Sequence, residues 1–138
     1  MNLVKVTLDK TDTCLTYCLK RMNKPYDFCT FDTYHEFFNQ YPYARKHKTL
    51  KKGDIILWDK DTKWEWLPWT INDKIEWRNI PTGFHFAIYE GDGYFSDCTR
   101  LVRPPHPSLR FRNLKDLKKN PDWILRLDEN INTEEKKL

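Results

Sequence analysis

The sequence predicts an α+β domain, and three short stretches carry that prediction. Leu15, Cys18, Leu19 and Met22 recur at i, i+3, i+4 and i+7, the core stripe of an amphipathic helix. Between Phe84 and Asp97 two β-rich runs flank Gly91-Asp92-Gly93, a strong hairpin signal. Behind a turn at Lys51-Lys52-Gly53-Asp54, the run Ile55-Ile56-Leu57-Trp58 reads as a buried strand. N-terminal helices are therefore expected to pack on a small antiparallel sheet.

At 138 residues the chain has the length of one domain, spanning 1–138, and shows no internal repeat or domain boundary. Lys and Arg number 24 against 20 Asp and Glu, a net +4 spread along the chain rather than blocked. That balance argues only weakly for an anionic partner. The opening residues lack the apolar run of a secretory signal, and no segment approaches a membrane span. The product is expected to be cytoplasmic where it is made, leaving by lysis or in a particle. Cys14, Cys18, Cys29 and Cys98 do not form the pattern of a disulfide framework, which fits a reducing compartment. With His35 they also miss the spacing of a zinc knuckle or ribbon, so no metal or other cofactor is expected.

In chain order, Leu3 to Leu8 alternates and reads as a short leading strand. Thr11 or Asp12 then caps the first helix, and Asn23-Lys24-Pro25 ends it. Cys14 falls in the first turn, beside the apolar stripe, whereas Cys18 lies on it. A helix start favours an anion and so the reactive thiolate form of a cysteine. Cys14 is the candidate nucleophile, and Cys18 is core.

A second helix is expected from Thr30 to Gln40, with Phe31, Tyr34 and Phe38 inward and Asp32 and Glu36 outward. His35 on it reads as structural or surface. Ala44 to Lys52 reads as a solvated basic connection rather than a nucleic-acid patch, since no base-stacking pattern accompanies it. Residues 59–82 form a Trp-rich hairpin insertion, with Asn72-Asp73 near its tip. Trp64, Trp66, Trp69 and Trp77 either pack over the sheet edge or, with Trp58, wall a substrate cleft. Arg103 to Pro107 reads as a rigid extended connection, Asn113–Lys119 as a short helix, and Asp122–Leu127 as a final strand. Residues 130–138 read as a frayed polar tail.

In the central hairpin, alternation places His85, Ala87 and Tyr89 on one face and Phe84, Phe86 and Ile88 on the other. The second strand returns Asp97 towards His85. An imidazole with a nearby carboxylate on a rigid scaffold is half of a nucleophilic catalytic device.

Three anchors then occur in order: Asp12-Thr13-Cys14 at the helix start; Leu50-Lys51-Lys52-Gly53-Asp54-Ile55-Ile56; and His85-Phe86-Ala87-Ile88-Tyr89-Glu90-Gly91-Asp92-Gly93. Together they resemble the NlpC-type cell-wall peptidases and, more loosely, the CHAP amidases, both papain-like cysteine hydrolases. The resemblance covers Cys14 to Asp97, about three-fifths of the chain. It departs from the pattern at the nucleophile, where Thr13 stands between Asp12 and Cys14 and Leu15-Thr16 replaces Ser-Gly.

The resemblance implies a papain-like fold in a divergent, phage-encoded type of protein. It makes Cys14 the nucleophile, His85 the general base and Asp97 the third member, with Ser96 and Asp92 as fallbacks. The implied substrate is a peptidoglycan peptide or related peptide or isopeptide bond, with no nucleic-acid or membrane partner. Two alternatives stay open: an intracellular protease, deamidase or acyltransferase using the same triad, and an inactive binding or inhibitory module working through the Trp-rich hairpin.

Overall fold

The computed structural model describes residues 3–9, 12–24, 37, 38, 40, 41, 44–71, 74–102 and 105–127. Among the described residues, helix α1 (Cys14–Arg21) is followed by β1 (Arg45–Lys46), β2 (Ile55–Trp58), β3 (Lys63–Ile71), β4 (Lys74–Thr82), β5 (His85–Gly91), β6 (Tyr94–Val102), β7 (Pro105–Asn113) and β8 (Trp123–Arg126). Six strands make one antiparallel sheet in the order β1-β8-β2-β5-β6-β7. β3 and β4 pair only with each other, as a separate ribbon. The α+β class is therefore observed. No helix among the described residues is long and apolar enough to cross a membrane.

The cap of α1 is Thr13, rather than Thr11 or Asp12. Its extended backbone (φ −114°, ψ 175°) lets its hydroxyl accept from the Thr16 N–H, while Thr16 Oγ1 accepts from the Thr13 N–H, a reciprocal capping box. Asp12 is instead buried under the first turn. It accepts from the Thr16 hydroxyl (2.9 Å), the Asp9 N–H (2.9 Å) and Lys20 Nζ (2.8 Å). At the other end, Met22 closes the helix and Asn23 turns the chain at φ 57°.

From α1, Leu15, Tyr17, Cys18, Leu19 and Met22 pack with Ile55, Leu57, Phe86, Ile88 and Leu125 in the main core. Each large side chain so buried contributes roughly 1.5–3 kcal/mol. On the opposite sheet face Ile56, Ala87 and Phe95 form a second cluster, flanked by Trp58 and Tyr89. The central strands β2 and β5 are thus covered on both faces, which is why Ile55-Ile56-Leu57 reads as an unbroken apolar run.

The Gly53-Asp54 strand entry has a structural purpose. Asp54 is buried, and its two oxygens take Arg126 Nε and Nη2 of β8, each at 2.8 Å. It also accepts from the Lys51 N–H at 2.7 Å. This pair ties the start of β2 to β8. In the hairpin turn, Gly91, Asp92 and Gly93 all take positive φ, and the β5–β6 register shifts between Tyr89 and Gly91.

Several expectations need correction. Residues 3–8 form no strand: the Val4 N–H donates to the Arg21 carbonyl, and Arg21 Nη1 donates back to the Val4 carbonyl, so this segment satisfies the helix end. The basic connection contributes β1, paired with β8. β6 runs on to Val102, and within the expected extended connection Pro105 to Pro107 is the start of β7, registered from Val102 opposite Pro105 to Tyr94 opposite Asn113. β7 is an edge strand, where a proline without an N–H is tolerated. Among the described residues beyond it, Leu114–Asp116 alone is helical, as a single 3-10 turn capped by Asn113. Of the expected second helix, the described residues Phe37, Phe38 and Gln40 are helical; Phe38 packs against the main core as expected, and Phe37 beside it is fully buried. Phe31, Tyr34, His35, Cys29, Asn72-Asp73 and residues 130–138 lie outside the described residues.

Candidate active site

α1 sets Cys14 at its first helical position, where the backbone N–H has no acceptor within the helix. The side chain is half-buried at the margin of the main core. His85 opens β5, within reach of Cys14 on one side and of Trp58 on the other. Its Nε2 lies 2.7 Å from Asp97 Oδ2. Cys14 is also close enough to the ring to favour its charged form. Cys14, His85 and Asp97, taken from α1, β5 and β6, thus come together.

Trp58 pairs across the sheet with His85, and the two rings stack at 5.8 Å between centroids with 27° between planes. The indole N–H donates to the Lys119 carbonyl at 3.1 Å, anchoring the ring that lies against the imidazole. Gly83, two residues before His85, takes φ +85°, and a Cβ there would stand 2.8 Å from the Asp61 carbonyl oxygen. Only glycine lets the chain pass this close and enter β5 at that angle.

Burial of the His85 ring works against its charge. Hydrogen bonding and electrostatic attraction from Asp97 and Cys14 outweigh it and hold the imidazole at about 9, above its ordinary 6.5. Asp97 is fully buried, which disfavours its charge, yet hydrogen bonds from His85 and Arg110 hold its carboxyl below the usual range. Arg110 reaches it from β7 through Nε (2.9 Å to Oδ1) and Nη2 (2.8 Å to Oδ2). Burial pushes the Cys98 thiol up to about 12 and Cys18 well above the usual thiol range.

The fallback residues are engaged elsewhere. Ser96 faces α1, 2.6 Å from the Tyr17 hydroxyl, and donates to Glu90, which Arg21 holds with two hydrogen bonds. Burial pushes Tyr17 up to about 12, so this network is a neutral-phenol lock between helix and sheet. Asp92 sits exposed in the turn at the opposite end of β5 from His85.

Of the five tryptophans expected to wall a cleft, Trp58 is at the site. Trp64, Trp66 and Trp77 are exposed on the ribbon, the last two at 67% each. Register explains it. Trp77 lies opposite Pro68, which shares a strand face with Trp64 and Trp66, so the three indoles occupy one side of a ribbon outside the main sheet. Trp69 belongs to the same strand, and its side chain is outside the described set.

A cavity of about 870 Å³ opens beside His85, lined by Trp58, Gly83 and Arg112 and by loop residues on either side; Cys14 is not in its lining. Arg110 and Arg112 are the site residues that sequence reasoning missed. Their spacing of two on a strand was the available signal, but it has meaning only once β7 is recognised as a strand. Among the described residues no group of three or more His, Cys, Asp or Glu is placed to hold a metal ion. Comparison with family models, curated proteins and solved structures finds no match to this chain.

Proposed function

We propose that the chain is a papain-like cysteine hydrolase that cleaves an amide bond, with peptidoglycan stem peptides as the substrate class that its sequence resemblance favours. The observation that carries this reading is the convergence of Cys14 and the buried Asp97 on His85, whose Nε2 lies 2.7 Å from Asp97 Oδ2. In this scheme Cys14 Sγ bonds to the amide carbonyl carbon as a thiolate, paired with the His85 imidazolium. The Cys14 N–H, free at the helix start, is one donor to the oxyanion that forms. His85 gives its proton to the leaving nitrogen as the C–N bond breaks. Water then attacks the thioester, His85 takes the proton, and the C–S bond breaks to release the acid. Asp97 holds the imidazole in the tautomer and orientation that serve both steps.

Two measurements test it. Digestion of purified peptidoglycan is expected to release new amino groups with the wild-type chain and none with Cys14→Ser. Iodoacetamide is expected to modify Cys14 in the native protein while Cys18 and Cys98 stay protected, and His85→Ala is expected to slow Cys14 by about tenfold or more. A Cys14 that reacts no faster with His85 present than without it would end the proposal.

A further inference from the structure

β7 ends the six-stranded sheet, and among the described residues it has a neighbouring strand on one side only. The ladder fixes which of its backbone groups face the open side. The Leu114 N–H donates to the Gly93 carbonyl at 2.8 Å, so Tyr94 and Asn113 are a pair that exchanges no hydrogen bond. Alternation gives the same standing to Phe111, Leu109, Pro107 and Pro105 along β7. The two prolines, which have no N–H, thus stand where β6 asks for none. Leu109 and Phe111 share their phase, and each turns its N–H and C=O outward, away from β6.

The side chains beside this edge divide by face. Leu109 and Phe111 lie on the α1 face with Tyr94, and all three are exposed, Phe111 at 61%. On the opposite face Arg110 holds Asp97, and Arg112 lies with its guanidinium carbon 5.1 Å from the Phe95 ring centroid. The edge therefore offers apolar contact on one face and positive charge on the other. A second copy of the chain fits it poorly. With Leu109 and Phe111 as the bonding residues, antiparallel pairing of two such edges sets Arg110 against another Arg110 or against an Arg112. Like charges directly opposite destabilise a ladder.

We infer that the outer edge of β7, from Leu109 to Phe111, takes an extended segment of a partner protein as a seventh strand of the sheet. The added strand runs antiparallel and alternates acidic with apolar residues. Its apolar residues lie opposite Phe111 and Leu109 and exchange backbone hydrogen bonds with them. Its acids lie opposite Arg112 and Arg110, on the other face. Pro107 and Pro105 keep the paired run short, because beyond Leu109 the edge has acceptors but no donors. The open side of β7 faces away from β5 and His85, so the inference does not depend on the hydrolase reading.

The test uses the full chain, with the peptide acetyl-Thr-Glu-Val-Glu-Val-Thr-amide as probe and amide hydrogen exchange followed by NMR. In the free chain the Leu109 and Phe111 amides are expected to exchange quickly, and those of Arg110 and Arg112, bonded to β6, slowly. Saturating peptide is expected to slow Leu109 and Phe111 by about tenfold or more. Replacing both glutamates by lysine is expected to weaken binding about fivefold or more. N-methylation of the two valines, whose N–H groups face β7, is expected to abolish binding, whereas N-methylation of the glutamates leaves it intact. Phe111→Pro, which removes one outward donor in the phase Pro107 already occupies, is expected to abolish binding as well.

No binding, binding that leaves Leu109 and Phe111 exchanging as before, or equal binding of the valine-methylated peptide overturns the inference. Equal binding of the lysine peptide overturns the acidic preference. Cys14→Ser is expected to bind the probe as the native chain does; loss of binding there would place the peptide at the thiol and overturn the inference. Protection of the same amides by raising the concentration of the chain alone would make a second copy the occupant and likewise overturn it. Should Phe111→Pro fail to fold, the methylated peptides carry the test on the native chain.

Discussion

Arg110 grips Asp97 through two parallel hydrogen bonds, and one of the oxygens it takes, Oδ2, is the oxygen that His85 Nε2 holds at 2.7 Å. The buried carboxylate is thus shared between a permanent cation and a titratable one. Arg110 offsets the cost of burying Asp97, so the carboxylate stays charged and available to the imidazole. Arg110 acts here as a positioning residue.

Asp97→Asn should therefore lower the His85 pKa. Burial, which opposes the charged ring, remains, while the hydrogen bond to Asp97, the largest influence that raises it, is lost together with the attraction of the carboxylate. The imidazole, held at about 9 in the native chain, is expected to titrate at or below the ordinary 6.5 in the variant. NMR titration of the His85 ring protons measures it. A pKa unchanged by the substitution would mean that Asp97 does not govern the ring.

Stability should depend on pH through the same group. His85 has a folded pKa of about 9 against an ordinary 6.5, so its contribution is whole below 6.5 and is lost as pH rises through about 9. The raised value corresponds to stabilisation on the order of 3 kcal/mol at the acid end of that window. Urea unfolding across the window is expected to show the decline in the native chain and a flatter profile in His85→Gln. A parallel decline in both would assign the effect to other groups.

Gly83→Ala should be costly for a residue at the surface. The added Cβ meets a main-chain oxygen of Asp61 at 2.8 Å, and φ is +85°, so both contact and backbone are unfavourable. A loss of about 1–3 kcal/mol is expected in urea unfolding. Slower modification of Cys14 by iodoacetamide is expected with it, because the entry to β5 sets the position of His85.

The tryptophans should separate into two classes. Trp66→Ser and Trp77→Ser, both at exposed positions of the ribbon, are expected to change stability by no more than about 0.5 kcal/mol and to leave Cys14 reactivity unaltered. Trp58→Ala removes the ring stacked on His85 and is expected to cost about 3 kcal/mol and to change that reactivity. An effect of Trp66→Ser on Cys14 would return the ribbon to the wall of the site.

Local pattern determined a good part of this protein. The stripe from Leu15 to Met22 announced α1 because one face must be apolar at the helical period. The Gly-Asp-Gly turn and its flanks announced β5 and β6, and alternation set Asp97 rather than Ser96 towards His85. These signals lie within one element or one hairpin, where spacing along the chain is nearly spacing in space.

Tertiary structure alone decided the rest. β7 hid because the prolines at its start read as an extended connection and the alternation of Leu109-Arg110-Phe111-Arg112 is short; its identity depends on β6 lying alongside. Arg110 and Arg112 reach Asp97 only through that pairing, and Trp58 meets His85 only through the register of β2 on β5. The cavity is built from loops far apart in sequence. Likewise the Trp-rich ribbon has the composition of a buried wall, but its strands bond only to each other and leave three indoles on an outer face. A sequence reports what each residue prefers locally, whereas contacts between distant segments are set by which surfaces the whole chain can bury at once.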